Sequence, residues 1–314
     1  MPKILITPRS FAQYSDEPYR KLDKAGVEYV KNPVGGILSK EQMLEHIKRV
    51  DGIIVGVDPL DADVLATGTG LKVVSKYGVG TDNIDLAYCS AHGIDVKITA
   101  NANSEAVADY AFALILAVAR RVVEIDKCCR MGDWGKKVSA DVYGKKIGVM
   151  GLGAIGRGVV ARARGFNMEV YGYDVFRDEA YITGNNICFS TLEEMLRECD
   201  FISLHMPLTK ETRHLINREN LKTAKKNLII INTARGGIIN EDDLFDALKN
   251  NVILGAGVDV FEHEPAKDSK LLELDNVIVG SHCAASTEGA VDTMSNMAVD
   301  NIIHVFKERK LINA

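Results

Sequence analysis

Short runs of β-branched and aliphatic residues alternate with helix-patterned segments along the 314-residue chain. That alternation points to parallel sheets, because consecutive parallel strands need a crossover, usually a helix, between them. The first half reads as strand 3–7, helix 17–25, strand 27–31, helix 40–49 and strand 52–55, then strands at 73–75 and 95–97. A long helix is predicted from Asn103-Ser104, both good N-cap types, to about Arg130, where Gly132-Asp133-Trp134-Gly135 breaks it. Strands follow at 146–150, 169–173, 201–204, 228–232, 255–259 and 277–280, and a last helix at about 288–308. A chain this long exceeds one compact core. The expected architecture is α/β, with two doubly wound parallel-sheet, Rossmann-like domains around a central cleft. Residues 1–99 with 287–314 form one domain and 100–286 the other, the last helix crossing back to the first.

Composition excludes several classes. Hydrophobic residues make up 46% and charged residues 26%, as in a soluble globular protein. The net charge of -5 comes without a basic stripe, which argues against nucleic acid as a partner. The start, Met1-Pro2-Lys3-Ile4-Leu5-Ile6, runs straight into a strand and has no apolar signal region. The longest apolar run, Tyr110 to Ala119, is too short to span a membrane and reads as a buried helix. Six cysteines show neither C-x-x-C nor metal-ligand spacing, so reduced thiols, a cytoplasmic location and no metal are expected.

The strand at 146–150 leads into Gly151-Leu152-Gly153-Ala154-Ile155-Gly156 and then a helix through Gly165. A bare G-x-G-x-x-G could be an ordinary tight turn. Placed between a strand and a helix, it fits a dinucleotide fingerprint. Gly151 permits the turn, Gly153 lets backbone approach a pyrophosphate, and Gly156 allows close helix–strand packing. The helix start offers free N–H groups to phosphate. Asp174 ends the next strand, 18 residues after Gly156. It could cap a helix. As part of the fingerprint it would accept from ribose hydroxyls and repel a 2′-phosphate, favouring NAD over NADP, with Arg177 nearby.

Three later segments emerge at the carboxyl ends of strands, where open α/β sheets bind ligands. They carry Arg235, Glu264 and His282. Arg235 can fork onto a carboxylate. His282 titrates near neutral pH and suits proton transfer. An acid such as Glu264 would orient it and stabilise its charge. Singly, these residues read equally as a surface ion pair, a loop acid and a core histidine. Together, downstream of the fingerprint, they suit hydride transfer to a keto acid, which needs a carboxylate clamp, a general acid and a group that orients the acid.

These features resemble the D-isomer-specific 2-hydroxyacid dehydrogenase family over essentially the whole chain. Gly151–Gly156 with Asp174, His205-Met206-Pro207-Leu208-Thr209, Asn232-Thr233-Ala234-Arg235-Gly236, Asp259-Val260-Phe261 with Glu264-Pro265, and His282 carry the resemblance. It implies an NAD-dependent oxidoreductase with Arg235, Glu264 and His282 as catalytic residues. Gly78-Val79-Gly80-Thr81-Asp82-Asn83 resembles the loop that grips substrate carboxylate through the Val79 and Gly80 backbone. Asn103 matches a substrate-lining position. Thr233, Ala234, Arg235, Asp259 and His282 match positions near the nicotinamide. His205, Pro207 and Thr212 match the segment beside the ribose and phosphates, joining Gly151, Gly153, Ala154, Ile155, Gly156 and Asp174 as cofactor residues. Family members usually pair through the region after Ser104, so a homodimer is expected.

The similarity is to the phosphoglycerate dehydrogenase-like branch, with two departures. Ile54-Val55-Gly56-Val57-Asp58-Pro59 lacks the arginines that commonly hold phosphate, and Asp58 would repel one if it faced the ligand. The chain also stops at Ala314, without a regulatory extension. Arg9, Ser10 and Lys76 are the candidates for selecting a distal anionic or polar group. Cys283 is expected to pack beneath the site. The alternatives are a glycerate-, glyoxylate-, hydroxypyruvate- or lactate-type reductase, or a non-enzymatic NAD-sensing protein on the same fold.

Overall fold

The computed structural model describes residues 1–313. In chain order the elements are β1 (Lys3–Ile6), α1 (Glu17–Lys24), β2 (Glu28–Lys31), α2 (Lys40–His46), β3 (Gly52–Val55), α3 (Ala62–Thr67), β4 (Val73–Lys76), α4 (Leu86–Ala91) and β5 (Asp95–Ile98). Then come α5 (Ser104–Ala119), α6 (Val122–Arg130), β6 (Lys146–Met150), α7 (Ala154–Gly165), β7 (Glu169–Tyr173), α8 (Glu179–Gly184), β8 (Cys188–Phe189), α9 (Leu192–Glu198) and β9 (Phe201–Leu204). The chain closes with α10 (Arg218–Leu221), β10 (Ile229–Asn232), α11 (Glu241–Lys249), β11 (Gly255–Val258), β12 (Val277–Val279) and α12 (Glu288–Glu308). Two compact units result, Met1–Asn103 with Ser286–Ala314, and Ser104–Ala285.

The first unit is a five-stranded parallel sheet in the order β2-β1-β3-β4-β5. Successive strand side chains point to opposite faces. Leu5 and Ile53 therefore join Met43 and Val74 in one core, while Ile4, Ile6 and Ile54 join Ile302 and Phe306 of α12 in the other. With both faces covered, the strands read as continuous apolar runs rather than alternating ones.

The second unit is a seven-stranded parallel sheet, β12-β11-β10-β9-β6-β7-β8. From β6 the order runs one way through β7 and the other through β9. Such a reversal opens a crevice at the carboxyl ends of the central strands. The fingerprint follows β6 at this point.

The long helix expected from residue 103 is two helices. Arg121 adopts a left-handed φ of 52° between α5 and α6, and neither glycine nor proline marks the break. Asn103 stands at the expected cap position, but its side-chain oxygen makes no hydrogen bond. The short helices α3, α4 and α8 start at side-chain caps, Asp61, Asp85 and Asp178.

At the amino ends of β6 and β10, the buried Asp200 gathers donors from three directions. Its carboxylate accepts from Lys146 N (3.0 Å), Lys225 Nζ (2.6 Å) and Asn227 Nδ2 (2.7 Å). Burial alone would raise its pKa, but Lys225, the Lys146 amide and Asn227 outweigh that and lower it. A depressed folded-state pKa contributes stability that is present above the unfolded value and lost as pH falls through the folded one. Asp200→Ala should therefore cost about 2–4 kcal/mol in urea unfolding at neutral pH, because it strands buried donors. The gap to wild type should narrow as the pH is taken below the carboxylate range.

Candidate active site

The turn after β6 needs its glycines for steric reasons. Gly151 has φ 96°, and a Cβ there would lie 2.7 Å from the His205 carbonyl oxygen. A Cβ on Gly156 would sit 1.9 Å from the Gly151 carbonyl oxygen, so α7 approaches the turn only without a side chain. A Cβ on Gly153 would meet nothing within 4 Å, so this glycine faces open space. Gly153 caps α7 without a side-chain bond, which leaves the first N–H groups of the helix available to an anion. Across the turn, Asp174 accepts from Leu152 N at 2.6 Å and from Phe176 N at 2.9 Å. Arg177, the nearby cation, pairs with Glu179 at 2.5 Å.

Two unpartnered polar atoms belong to the same sheet edge. His205 directs Nε2 to Ser203 Oγ at 2.8 Å and leaves Nδ1 buried without a partner. Burial pushes its pKa down to about 3, so the ring stays neutral. Thr233 Oγ1 is likewise buried and unpartnered. An open glycine cradle, free helix N–H groups and unsatisfied polar atoms at the switch point fit a dinucleotide. Thr212 also ties its own loop together. Its hydroxyl donates to Pro207 O at 2.7 Å and accepts from Thr209 N, which braces the 207–212 loop.

His282 and Glu264 meet beyond the ends of β11 and β12. Nδ1 of His282 lies 2.8 Å from Glu264 Oε2, while Phe261 N donates to Glu264 Oε1 at 3.0 Å. Burial raises the Glu264 pKa, but the His282 contact, the Phe261 amide and the charge of Arg235 together lower it. The carboxylate is therefore ionised near neutrality. With Nδ1 engaged, the proton that His282 can exchange with a ligand sits on Nε2. Arg235 follows β10 with extended backbone, and its Nη1 donates to Ala234 O at 2.7 Å.

His282 has a left-handed φ of 57°, an uncommon conformation for a side-chain-bearing residue. Asp259 holds it there. The Asp259 carbonyl accepts from His282 N at 2.8 Å, and its buried carboxylate accepts from Cys283 N at 3.0 Å and Ala284 N at 2.8 Å. Asp259 thus positions the histidine loop. Cys283 packs beneath the site as expected, its Sγ 3.4 Å from the Tyr110 hydroxyl. Gly280 closes this cluster, since a Cβ there would lie 2.1 Å from Asp259 Oδ1 and 2.7 Å from the Tyr110 hydroxyl. Neither Tyr110 nor Gly280 carries a sequence signal for this role, because only the packing of α5 on the sheet brings them to Asp259.

In the first unit, the 78–83 loop begins at Gly78 with φ 122°. Gly78 N donates to Thr99 Oγ1 at 2.8 Å, while the N–H groups of Val79 and Gly80 donate to no described residue. Consecutive free amides make an anion-binding concavity. Lys76, expected to face substrate, is buried instead. Its ammonium donates to Gly56 O and, at 3.0 Å, to Asn83 Oδ1. Asp58 is also turned inward, accepting from Thr7 Oγ1 and from Leu38 N at 2.8 Å, so it does not confront a ligand. Asn103 is buried with Oδ1 unpartnered, and Arg9 is exposed.

Fold and site together define a dinucleotide-dependent dehydrogenase with an Arg–Glu–His set. A family model described as D-isomer specific 2-hydroxyacid dehydrogenase, NAD binding domain, matches residues 112–284. The chain belongs to that family, and it is an NAD-dependent oxidoreductase of 2-hydroxy acids. It is 42% identical over 276 residues to a glyoxylate reductase of Pyrococcus horikoshii, covering 85% of this chain and 83% of the relative. It is 41% identical over 275 residues to a D-3-phosphoglycerate dehydrogenase of Methanocaldococcus jannaschii, covering 86% of this chain and 52% of the relative. A D-lactate dehydrogenase of Aquifex aeolicus, solved with NAD and lactic acid, superposes with a TM-score of 0.84 at 30% identity. That match covers 98% of this chain and 96% of the other.

Glu264 engages Nδ1 and so holds His282 with Nε2 free to meet a ligand. Glu264→Gln should lower kcat for reduction about a hundredfold, with little change in NADH affinity. Stopped-flow NADH oxidation and NADH titration check both, and an unchanged kcat would show that Glu264 does not act through His282.

Proposed function

We propose that the protein reduces short-chain 2-oxo acids to D-2-hydroxy acids, with His282 as proton donor, Glu264 as its orienting counter-charge and Arg235 as carboxylate clamp. The observation that carries this reading is the 2.8 Å contact of His282 Nδ1 with Glu264, which leaves Nε2 for a ligand oxygen. When bound, NADH supplies the hydride. Arg235 forks onto the substrate carboxylate, polarising and orienting the adjacent carbonyl. On the first unit, the free amides of Val79 and Gly80, with Asn103, are assigned to substrate binding. Protonated His282 then delivers its Nε2 proton to the carbonyl oxygen, and Glu264 stabilises the charge until that transfer. Gly151, Gly153, Ala154, Ile155 and Gly156 are assigned to the pyrophosphate, and Asp174 to the ribose. His205, Pro207 and Thr212 are assigned to the segment beside the cofactor ribose and phosphates, and Thr233, Ala234 and Asp259 to the nicotinamide. A glyoxylate- or hydroxypyruvate-type acid fits at least as well as the phosphorylated acid of the phosphoglycerate enzymes, because glyoxylate reductase names recur among the relatives.

We also assign a homodimer and a cytoplasmic location. Val122, Val123, Met131, Trp134 and Val138 expose large apolar side chains within one stretch of the second unit. Such a concentration suits a surface that another copy covers. No helix among the described residues is long and apolar enough to cross a membrane, and all six cysteines are free thiols.

The decisive assay follows NADH oxidation at 340 nm with glyoxylate, hydroxypyruvate, pyruvate and 3-phosphohydroxypyruvate. Turnover of at least one acid is expected, with kcat reduced at least a hundredfold in His282→Ala while NADH still binds. Retention of NADH binding without turnover of any acid would overturn the enzyme reading. Sedimentation should report a dimer that Trp134→Glu shifts to monomer, and a monomeric wild type would refute the pairing.

A further inference from the structure

The first unit contains one rigidly presented cation that its own fold does not use. Arg9 lies in the loop after β1, is exposed, and makes no hydrogen bond or ion pair with any described residue. The loop around it is firmly held. Phe11 is buried at its centre, edge-on to Tyr19 with ring centroids 5.5 Å apart and tilted against Tyr77 at 6.3 Å. Phe11 N donates to Pro8 O (3.2 Å), Gln13 N to Ser10 O (3.2 Å) and Ala12 N to Ser295 Oγ (3.1 Å). Ala12 takes a left-handed φ of 52°, a conformation that alanine rarely adopts unless its surroundings enforce it.

The same loop is tied to the free amides. The Tyr77 hydroxyl interacts with Ser10 and lies 3.1 Å from Val291 O and 3.2 Å from Ser295 Oγ. Tyr77 directly precedes the Gly78-Val79-Gly80 turn. Ser10 therefore braces Arg9's loop against that turn. Strands β1 and β4 are separated by β3 alone, and neighbouring strands lie about 4.8 Å apart. The two loops thus leave one sheet edge roughly 10 Å apart, a gap an arginine side chain can largely cross.

Most other charges at this edge are engaged. Lys76 is bonded to Gly56 and Asn83, Asp58 to Thr7 and Leu38, Asp61 to Lys40 and Asp85 to the Tyr88 amide, and Asp82 is engaged as well, while Asp16 at the far end of the Arg9 loop has no side-chain hydrogen bond. In the segments that follow β1, β3, β4 and β5, namely 7–16, 56–61, 77–85 and 99–103, Arg9 is the only basic residue.

We propose that Arg9 reads a second anionic group on the substrate, a phosphate or a carboxylate a few bonds beyond C2, so the preferred substrates are doubly anionic 2-oxo acids rather than glyoxylate or pyruvate. This rests on the 2-oxo acid reading above and narrows its substrate class. A guanidinium fork suits either oxyanion, and its planar geometry discriminates against acids that end in hydrogen, methyl or hydroxyl.

The test compares kcat/KM for 3-phosphohydroxypyruvate and oxaloacetate with that for glyoxylate, in wild type, Arg9→Gln and Arg9→Lys. The wild type is expected to favour at least one doubly anionic acid. In Arg9→Gln that preference should fall at least tenfold, mainly through KM, and Arg9→Lys should restore part of it. Loss with the phosphorylated acid alone assigns phosphate, and loss with oxaloacetate alone assigns carboxylate. Turnover of glyoxylate with no preference for either charged acid, or a preference unchanged in Arg9→Gln, would overturn this inference and leave the enzyme reading intact. If no acid is turned over, calorimetry of the full chain with NAD and 3-phosphoglycerate decides. Binding that Arg9→Gln weakens tenfold keeps the anion site while the reaction fails, and binding that is absent or unchanged removes both.

Discussion

The chemistry of the second unit depends on one buried carboxylate. Asp259 is fully removed from solvent, a costly place for a charge unless hydrogen bonds compensate it. The Cys283 and Ala284 amides do so directly. In return the chain after β12 is forced through a left-handed turn at His282, and the imidazole is aimed at Glu264. Gly280 must lack a side chain for the carboxylate to lie where it does. The strain at His282 and the burial of Asp259 are therefore one arrangement. The result is an imidazole whose direction is set before a ligand arrives.

The same logic separates what the sequence disclosed from what it withheld. Parallel strands buried on both faces announce themselves as unbroken apolar runs, so β3, β6, β7 and β9 coincide with their expected limits. The fingerprint was legible because its glycines answer to backbone clashes, at Gly151 and Gly156, that any chain with this turn would meet. Arg235, Glu264 and His282 were legible through position, each following a strand at the edge where ligands bind. Side-chain direction was not legible. Lys76 and Asp58 carry charges that suggest ligand contact, yet both turn inward to join the loops after β1, β3 and β4. The backbone contacts of Asp259 and Thr212 were equally hidden, because they depend on how the loops after the strands fold back. The break at Arg121 was hidden because a left-handed arginine has no compositional signature.

These inward charges also bear on substrate choice. A lysine at the end of β4 and an aspartate after β3 would, as free groups, have pulled the substrate edge toward opposite preferences. Bonded internally, they brace the loops and leave the field at this edge to groups that do face outward. The first unit then offers an anion two kinds of donor, the paired amides after Gly78 and the guanidinium of Arg9, on loops that share Tyr77 and Ser10 as a brace.

Overall similarity cannot rank the substrates, and there is a physical reason. Identity to the glyoxylate reductase and to the phosphoglycerate dehydrogenase is almost the same, 42% and 41%. The parallel sheets and the glycine turn are machinery that any acid of the class would use alike. The matched family segment, residues 112–284, lies wholly within the unit that carries that common machinery. Discrimination between acids depends instead on what lies beyond C2, and a charged distal group is distinguished from a neutral one by a single guanidinium fork more sharply than by many apolar contacts. One loop residue can thus change the substrate class without registering in the percentage. The exposed, partnerless guanidinium on a rigid loop of the other unit is the feature of this chain with that capacity.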